Sequence, residues 1–281
     1  MRASGAALLV CASLAHAAGE IHEGGPYIPT PPVVVDAMLK IARVGSRDYV
    51  VDLGSGDGRI VLTAARKFGA RGFGVDIDAE LVERSNAAAR KLGVAERVHF
   101  LRQDVRNADL RRATVLTLYL LPGMMETLRP KFLKELRPGA RIVSHDFDLG
   151  DWKPDRSVTV ETPEKYDQTG QIWTSTVHLW VVPAAVQGNW RGTWSDPGGG
   201  EFRLEIRQTF QRFGGRLAHG GASVKLEGGR IDGTRLQFGA QGASGSPREL
   251  FVGVVEGESM KGEARRADGT VTARWSAVRI P

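Results

Sequence analysis

Up to about residue 182, apolar residues occur in two patterns: clustered in short segments, and repeated every three or four positions between those segments. Short segments that are apolar at most positions lie at 50–53, 72–76, 98–101, 113–121 and 141–144, and between them apolar residues recur every three or four positions. Such segments are typical of strands buried on both faces, and the recurring spacing is typical of amphipathic helices. The alternation predicts an α/β domain with a parallel sheet.

Helices are predicted around these strands. The first has Thr30 as its N-cap and Pro31 as its first residue, and it ends before Gly45. The others begin near Ile60, Ala79 and Pro122. A further apolar segment, 172–182, predicts one long strand after the last helix.

The pattern changes after Pro183. From Gly188 onward helical spacing disappears, glycines and turn signals recur, and apolar residues alternate with polar ones. Asp268-Gly269 between two alternating segments predicts a β-hairpin. Residues 185–281 are therefore expected to form a small antiparallel β domain, a barrel or a sandwich, of about seven strands. Its sequence carries no metal-ligand cluster, nucleophilic triad or phosphate loop, so its role is open.

The glycine turn, residues 54–58, lies between the first strand and its helix and reads Gly-Ser-Gly-Asp-Gly. Glycine permits positive φ and lets backbone N–H groups approach a ligand at the helix start. Asp52 at the strand end and Asp57 in the turn would repel a pyrophosphate but attract a cation. The turn therefore favours S-adenosylmethionine, which carries ammonium and sulfonium charges.

The glycine spacing of this turn resembles the first motif of class I S-adenosylmethionine-dependent methyltransferases. Together with the upstream stretch Pro26-Tyr27-Ile28-Pro29-Thr30-Pro31, it is similar to the protein-lysine methyltransferases that modify the c subunit of ATP synthase, and to their bacterial relatives. The resemblance covers residues 25–182. It implies a Rossmann-like sheet with helices on both faces, S-adenosyl-L-methionine as cofactor, and segment 172–182 inserted as an antiparallel strand at the sheet edge.

Cofactor contacts are expected at the carboxyl ends of the strands. Asp76, about twenty residues past the glycines, is placed to accept the ribose hydroxyls, while Asp78 is better placed to cap the next helix. The resemblance implies that Asp104 and Val105 hold the adenine, and capping is the alternative for Asp104. Tyr27 either lies across the cofactor site or packs the lead-in. The expected cofactor-binding residues are Tyr27, Asp52, Gly54, Ser55, Gly56, Gly58, Asp76, Ile77, Asp104, Val105 and Tyr119.

Three polar residues that follow the fourth and fifth strands are candidates for catalysis: Tyr119, His145 and Asp146. Tyr119 orients a nucleophile or fills the core. His145 accepts a proton or is structural, and Asp146 attracts a cationic substrate. The expected reaction is in-line displacement by a neutral amine, driven by alignment and desolvation, with no metal ion.

Composition narrows the class of partner. With 42% hydrophobic and 25% charged residues the chain is of the globular type. The net charge is +6, and the Lys and Arg residues are interleaved with Asp and Glu along the sequence. This pattern indicates a solvated surface and gives no strong signal for nucleic-acid binding. The methyl acceptor is expected to be a protein lysine or a small molecule. The alternative is an exported, non-catalytic binding module on a methyltransferase scaffold.

The N-terminus resembles a secretory leader. An apolar run over residues 6–15 is followed by Ala15-His16-Ala17, which fits a signal-peptidase site, and the single cysteine, Cys11, lies within it. The run is too short to anchor the chain in a membrane. Residues 1–19 are thus expected to be a signal peptide, residues 20–184 the methyltransferase domain, and the product periplasmic or secreted; without cleavage it is cytoplasmic. The β domain would then meet an unknown partner.

Overall fold

The computed structural model describes residues 27–166, 172–195, 199–241 and 248–281. The leader expected at residues 1–19 lies outside these ranges. Among the helices of the described ranges, none is long and apolar enough to cross a membrane.

The first domain alternates strands and helices. Its helices are α1 Pro32–Ile41, α2 Arg59–Phe68, α3 Ala79–Lys91 and α4 Pro122–Glu135. Its strands are β1 Tyr49–Leu53, β2 Arg71–Asp76, β3 Val98–Arg102, β4 Val115–Leu118, β5 Arg141–His145, β6 Arg156–Tyr166 and β7 Ile172–Val181. They form one sheet in the order β3-β2-β1-β4-β5-β7-β6, in which β1 to β5 run parallel and β7 is antiparallel to both of its neighbours. The predicted Rossmann-like sheet is confirmed.

Helices cover both faces of this sheet. On one face α1 and α2 contribute Val34, Met38 and Val61 to an apolar cluster. On the other face α4 contributes Met125 and Phe132, both fully buried. Burial on both sides explains why the central strands read as continuous apolar runs.

The far edge of the sheet differs from the prediction. Strand β7 is not at the edge but lies between β5 and β6, and β6 forms the edge. Strand β6 was not predicted from the sequence, because its valines alternate with polar residues and it lacks a continuous apolar run. The fourth strand is also shorter than predicted, ending at Leu118, so Tyr119 lies in the loop that follows.

Residues 188–280 form a closed antiparallel barrel, one of the two predicted architectures. Its strands are β8 Gly188–Trp194, β9 Glu201–Thr209, β10 Arg212–His219, β11 Ala222–Asp232, β12 Arg235–Gln241, β13 Arg248–Glu256, β14 Ser259–Arg265 and β15 Val271–Ile280. The hairpin at Asp268-Gly269 joins β14 to β15, as the sequence indicated. The barrel has eight strands. Closing the sheet leaves no unpaired edge strand.

The barrel rests on the amino end of the parallel strands. Gly233, in the turn between β11 and β12, lies against the backbone of Gly139, in the turn that leads into β5. Its carbonyl oxygen accepts the N–H of Ala184 at 2.7 Å. The barrel therefore stands opposite the carboxyl ends of the strands, where ligands of such sheets bind.

Two further contacts hold this junction. The ring of Phe210, in the turn between β9 and β10, stacks on the fully buried Trp152 with centroids 5.4 Å apart. Arg230 of the barrel forms an ion pair with Asp155 at 2.8 Å. The second carboxylate oxygen of Asp155 accepts the N–H of Val181, so one side chain links the barrel to β7.

Candidate active site

The glycine turn has the backbone that the sequence predicted. Gly54, Gly56 and Gly58 have φ values of 75°, 51° and 77°. This region disfavours side chains with a Cβ atom. The N–H groups of Gly54 and Ser55 both donate to the carbonyl of Val75 at 2.9 Å, which fixes the turn beside the end of β2.

Two side chains lie directly on this turn. A Cβ atom at Gly54 would be 2.8 Å from the side chain of Leu120, and one at Gly56 would be 2.4 Å from the ring of Tyr27. Tyr27 is nevertheless 46% exposed, so it covers the turn without being enclosed. The ring thus lies over the glycine turn, and its expected contact with the cofactor stays a prediction.

Asp52 is a buried carboxyl at the end of β1, only 2% exposed. The hydroxyl of Thr117 donates to it at 2.7 Å. Burial raises the pKa of Asp52 to about 7, against the opposing effect of the Thr117 hydrogen bond and with a further increase from the charges of Asp76 and Asp57. A carboxyl in this state gains a proton or a cationic partner, and the ammonium group of S-adenosylmethionine is such a partner.

Asp57 has a different role from the one expected. Its carboxylate forms an ion pair with Arg59 at 2.6 Å, and Arg59 also donates to the carbonyl of Thr30 at 2.9 Å. Partial burial would raise the pKa of Asp57, but the hydrogen bonds and charge of Arg59 outweigh it and lower the pKa. The pair ties the lead-in to the glycine turn, and the charge of Asp57 is already matched.

Asp76 is held at the end of β2 by two backbone donors. Its carboxylate accepts the N–H of Gly56 at 2.8 Å and that of Asp78 at 3.0 Å. Asp78 itself caps α3, as expected. The neighbouring Ile77 exposes 40% of its surface and presents an apolar face beside the carboxylate. This placement suits a ribose, and that role stays a prediction.

Asp104 follows β3 and caps a short 3-10 turn, Val105–Asn107. Both of its oxygens also contact the guanidinium of Arg106, at 2.7 to 3.0 Å. These hydrogen bonds from Arg106 lower the pKa of Asp104. The capping alternative is thus realised, and the adenine contact implied for Asp104 and Val105 stays a prediction.

The rings of Tyr119 and His145 pack closely against each other at an interplanar angle of 32°. Their ring centroids are 4.0 Å apart, and His145 is fully buried. The two imidazole nitrogens are in hydrogen-bond contact with the hydroxyls of Thr30, at 3.2 Å, and Ser175, at 2.9 Å. The His145 ring is thus excluded from solvent with both nitrogens engaged, which is the structural alternative for this residue; its role in proton transfer stays a prediction.

Asp146 follows β5 with a φ of 61°, an uncommon conformation for a residue with a side chain. Its N–H donates to the carbonyl of Thr176, and its carboxylate accepts the N–H of Thr176, both at 2.7 Å. The second carboxylate oxygen lies 3.3 Å from Nε2 of His145. Partial burial and the charge of Asp146 raise the pKa of Tyr119. Such strained residues concentrate at functional sites.

Several residues of this site were not identified from the sequence. Thr30 was assigned to a helix cap, but α1 begins at Pro32 without a side-chain cap, and the hydroxyl contacts His145 instead. Ser175 and Thr176 lie in β7, where a run of polar residues inside an apolar strand was the available signal. The others are Arg59 and Thr117.

The residues present fit S-adenosylmethionine. The hydroxyl of Ser55 is buried and has no hydrogen-bond partner among the described residues, which leaves a polar atom available beside the glycine turn. Asp52 offers a carboxylate for the ammonium group. No cluster of His, Cys, Asp and Glu that could hold a metal ion is present in the described ranges.

Comparison with known proteins agrees with this geometry. The sequence profile of the ANTKMT methyltransferase domain matches residues 52–156. A protein-lysine N-methyltransferase of Saccharolobus islandicus is 44% identical over 158 residues, which are 56% of this chain and 93% of that protein. The human lysine N-methyltransferase of the ATP synthase c subunit is 32% identical over 130 residues, which are 46% of this chain and 55% of that protein. The chain thus matches about half the length of the human relative.

A solved structure supports the cofactor class. A crystal structure from Salinibacter ruber, described as an RNA methyltransferase in complex with S-adenosyl-L-homocysteine, is 47% identical, with a TM-score of 0.50. The similarity covers 57% of this chain and 96% of that one. The bound group is the demethylated form of the cofactor inferred from the glycine turn. The chain belongs to the family of S-adenosylmethionine-dependent methyltransferases that includes these protein-lysine N-methyltransferases.

Proposed function

We propose that this methyltransferase modifies the ε-amine of a lysine residue in a protein. The observation that carries the proposal is the 44% identity to the protein-lysine N-methyltransferase of Saccharolobus islandicus over 93% of that protein's length. The polar residues at the carboxyl edge of the sheet are consistent with an amine acceptor, because Asp146 places a partly exposed carboxylate there.

Each cofactor-site residue has a distinct task in this reaction. Bound S-adenosylmethionine supplies an electrophilic methyl group on its sulfonium sulfur. Asp52 would pair with the ammonium group, Asp76 would accept hydrogen bonds from the ribose hydroxyls, and the Ser55 hydroxyl would be available as a further donor. These contacts fix the direction from which a nucleophile reaches the methyl group, and alignment of this kind is a large part of catalysis.

The acceptor side must deliver a neutral amine. A lysine arrives protonated, and Asp146 attracts its charge. Tyr119, whose pKa is raised, stays a neutral phenol whose oxygen can accept an N–H of the amine. His145 holds the Tyr119 ring in place. Removal of water around the lysine ammonium, at the carboxyl edge of the sheet, favours loss of its proton. Asp146 is placed to accept this proton and pass it to solvent.

Two measurements test the proposal in sequence. Calorimetric titration with S-adenosylmethionine and S-adenosylhomocysteine should give binding that Asp76→Ala abolishes. Transfer of a radiolabelled methyl group to an envelope protein extract, followed by acid hydrolysis, should then yield methylated lysine. Because the Salinibacter ruber protein is described as an RNA methyltransferase, an RNA fraction and a small-molecule fraction are assayed in parallel. Label found only in one of these fractions would overturn the lysine assignment, and absence of cofactor binding would favour the scaffold alternative.

We also propose that the chain is exported and that its leader is residues 1–19. The support is the apolar run with Ala15-His16-Ala17 behind it. Fractionation of expressing cells should place the protein in the periplasm or medium, with its chain cleaved after Ala17 or within the next two residues. A cytoplasmic protein that keeps Met1 would contradict the proposal.

A further inference from the structure

The barrel contains a cavity of about 130 Å³ at the end that points away from the methyltransferase domain. It is lined at the ends of β8, β10 and β12 and the starts of β11 and β13. The turns at the opposite end, at Phe210 and Gly233, are the ones that contact the first domain. The cavity is therefore separate from the cofactor site.

Three aromatic rings line this cavity. Trp194 lies 5.7 Å from Phe251 and 5.9 Å from His219, measured between ring centroids, and the Trp194 and His219 planes are nearly perpendicular. The ring of His219 is held by a contact of Nδ1 with the carbonyl of Glu201 at 2.8 Å. Rings at such angles present aromatic faces and edges to the enclosed space.

The space exists because two lining residues are small. Ala222 and Ala240 occupy positions that larger side chains would fill. An apolar cavity of about 150 Å³ accommodates benzene. A trimethylammonium group, with four carbons around one nitrogen, is of comparable or smaller size.

A carboxylate stands in the same cavity. Glu249 pairs with Ala240 across the ladder, and in the alternation of β13 it shares the inward face with Phe251, while Arg248 and Leu250 are exposed. Arg248 forms its ion pair with Glu227, outside the cavity. Within the described part of the chain, the carboxylate of the Glu249 side chain forms no hydrogen bond or ion pair. A negatively charged carboxylate beside aromatic rings at the cavity entrance favours binding of a cation.

We infer that the barrel mouth binds a methylated ammonium group, specifically the side chain of a methylated lysine. Aromatic faces attract quaternary ammonium ions through the ring quadrupole, and a neighbouring carboxylate adds Coulomb attraction. This inference rests on the proposed lysine methylation, since the barrel would then recognise the product that the first domain makes. The enzyme would hold an already modified copy of its substrate at the far end of the molecule.

The test is calorimetric titration of the purified full chain without added cofactor. The probes are a peptide carrying trimethyllysine, the same peptide with unmodified lysine, choline, and 3,3-dimethylbutan-1-ol, the neutral isostere of choline. We expect the trimethyllysine peptide to bind at least tenfold more tightly than the unmodified one. Choline should bind and its neutral isostere should not. Equal binding of choline and the isostere would overturn the inference, because the cavity would then be a plain apolar site.

Substitutions separate the cavity from the rest of the barrel. Glu249→Gln keeps the size of the side chain and removes its charge, so it should weaken binding of the trimethyllysine peptide about tenfold. Ala240→Leu fills the space and should abolish binding. Glu205→Gln is the matched control, because Glu205 is an exposed glutamate of β9 whose partner is Arg207, away from the cavity. Unchanged affinity in both cavity variants would overturn the inference.

The outcomes also identify the source of the ammonium group. Choline binding more tightly than the peptide would overturn the lysine source and assign the site to small quaternary amines. The result is independent of methyl transfer, since no cofactor is present. If the chain binds the trimethyllysine peptide but transfers no label to lysine, the methyllysine site is supported and the proposed function is refuted. If it labels lysine but does not bind the peptide, the proposed function is supported and the methyllysine site is refuted.

Discussion

Asp52 is buried, and in the proposed reaction it must be ionised to pair with the cofactor's ammonium group. We therefore expect cofactor binding to depend on pH. Burial raises the pKa of its carboxyl to about 7. The ammonium group of S-adenosylmethionine binds the ionised form. We therefore expect affinity to rise with pH up to about 7 and to level off above it, with proton release on binding below pH 7. Calorimetry at pH 6 and pH 8, in buffers of different ionisation enthalpy, measures both effects; a pH-independent affinity would contradict the assignment.

Replacement of Asp52 by Asn has opposite effects on ligand binding and on the stability of the free protein. The variant should bind S-adenosylmethionine about 10- to 100-fold more weakly, as expected for loss of a charge-assisted contact of roughly 1.5–3 kcal/mol. In the free protein the raised pKa favours folding below the unfolded pKa of 3.8, and this contribution is lost as pH rises through about 7. Asp52→Asn removes this pH dependence, so its melting temperature at pH 8 should be no lower than that of the wild type.

Tyr119 and Asp146 carry the acceptor chemistry in the proposed reaction. The double variant Tyr119→Phe, Asp146→Asn should lower kcat about 100-fold, the scale of lost proton transfer. The KM for S-adenosylmethionine should change less than kcat, because the ammonium and ribose are assigned to Asp52 and Asp76, while Tyr119 is expected to contact the cofactor only near the methyl group. Steady-state kinetics with the identified acceptor measure this split. Undiminished turnover would remove both residues from catalysis.

His145 acts through Tyr119 in this arrangement, and the pH profile of kcat distinguishes this from direct proton transfer. His145→Asn should reduce kcat about tenfold by loosening the Tyr119 ring, and the shape of the profile should be retained. Loss of the acidic limb in the variant would instead make His145 the base. His145→Gln, which keeps a polar contact within reach of Ser175, should recover part of the activity.

Residue identities at this site were predictable where one short motif carries them. The glycines, Asp52 and Asp76 are placed by their distance from a strand end, and Tyr27 is placed by the proline-flanked stretch before α1. Thr30, Thr117 and Ser175 were not identified, since their contacts join residues 65 to 115 positions apart or cross from β5 to β7. No local pattern records a contact of that kind.

At the scale of elements, alanine substitutions at two glycines distinguish the effect of backbone strain on stability from an effect on cofactor binding. Gly56 and Gly93 have φ values of 51° and 68°, but only at Gly56 would an added Cβ atom meet a side chain within 4 Å. Gly56→Ala and Gly93→Ala should each lower the free energy of unfolding by about 1–2 kcal/mol, the cost of a left-handed residue with a Cβ. Only Gly56→Ala should also weaken S-adenosylmethionine binding, because it displaces Tyr27. Equal cofactor affinity in the two variants would separate Tyr27 from the site.

Elements were predictable in proportion to how fully they are buried. The runs at β1, β2 and β5 are apolar on both faces and were identified close to their bounds. Strand β6, whose polar residues alternate with valines, was missed, and β7 was consequently assigned to the edge. An edge strand with one solvated face has no continuous apolar run to reveal it.

For the molecule as a whole, the junction between the domains depends on a few contacts. Phe210→Ala removes the stack on Trp152 and should destabilise the chain by roughly 2 kcal/mol, below the range for a fully buried aromatic. Differential scanning calorimetry should show the two domains unfolding in more separate transitions. Leu250→Ala, on the exposed outer face of β13 and away from the junction, is the control. Equal effects of the two substitutions would show that the stack contributes nothing to coupling.

The two-domain division was predictable from the change in composition after Pro183, while the placement of the barrel was not. The side chains that set it include Phe210, Asp155 and Arg230, and the ion pair of Arg230 with Asp155 joins residues 75 positions apart along the chain. Nothing in the spacing of either domain indicates which end of the sheet the barrel meets.

The position of the barrel at the amino end of the parallel strands has a consequence for the kind of substrate that suits this molecule. The two proposed recognition sites lie at opposite ends of the molecule, so a short linear peptide cannot occupy both. An assembly of many identical protomers can, with one modified protomer retained at the barrel while an unmodified neighbour meets the methyl group. Tethering of this kind raises the effective concentration of the remaining acceptors without any new contact at the catalytic mouth, so modification would spread from protomer to protomer within one assembly.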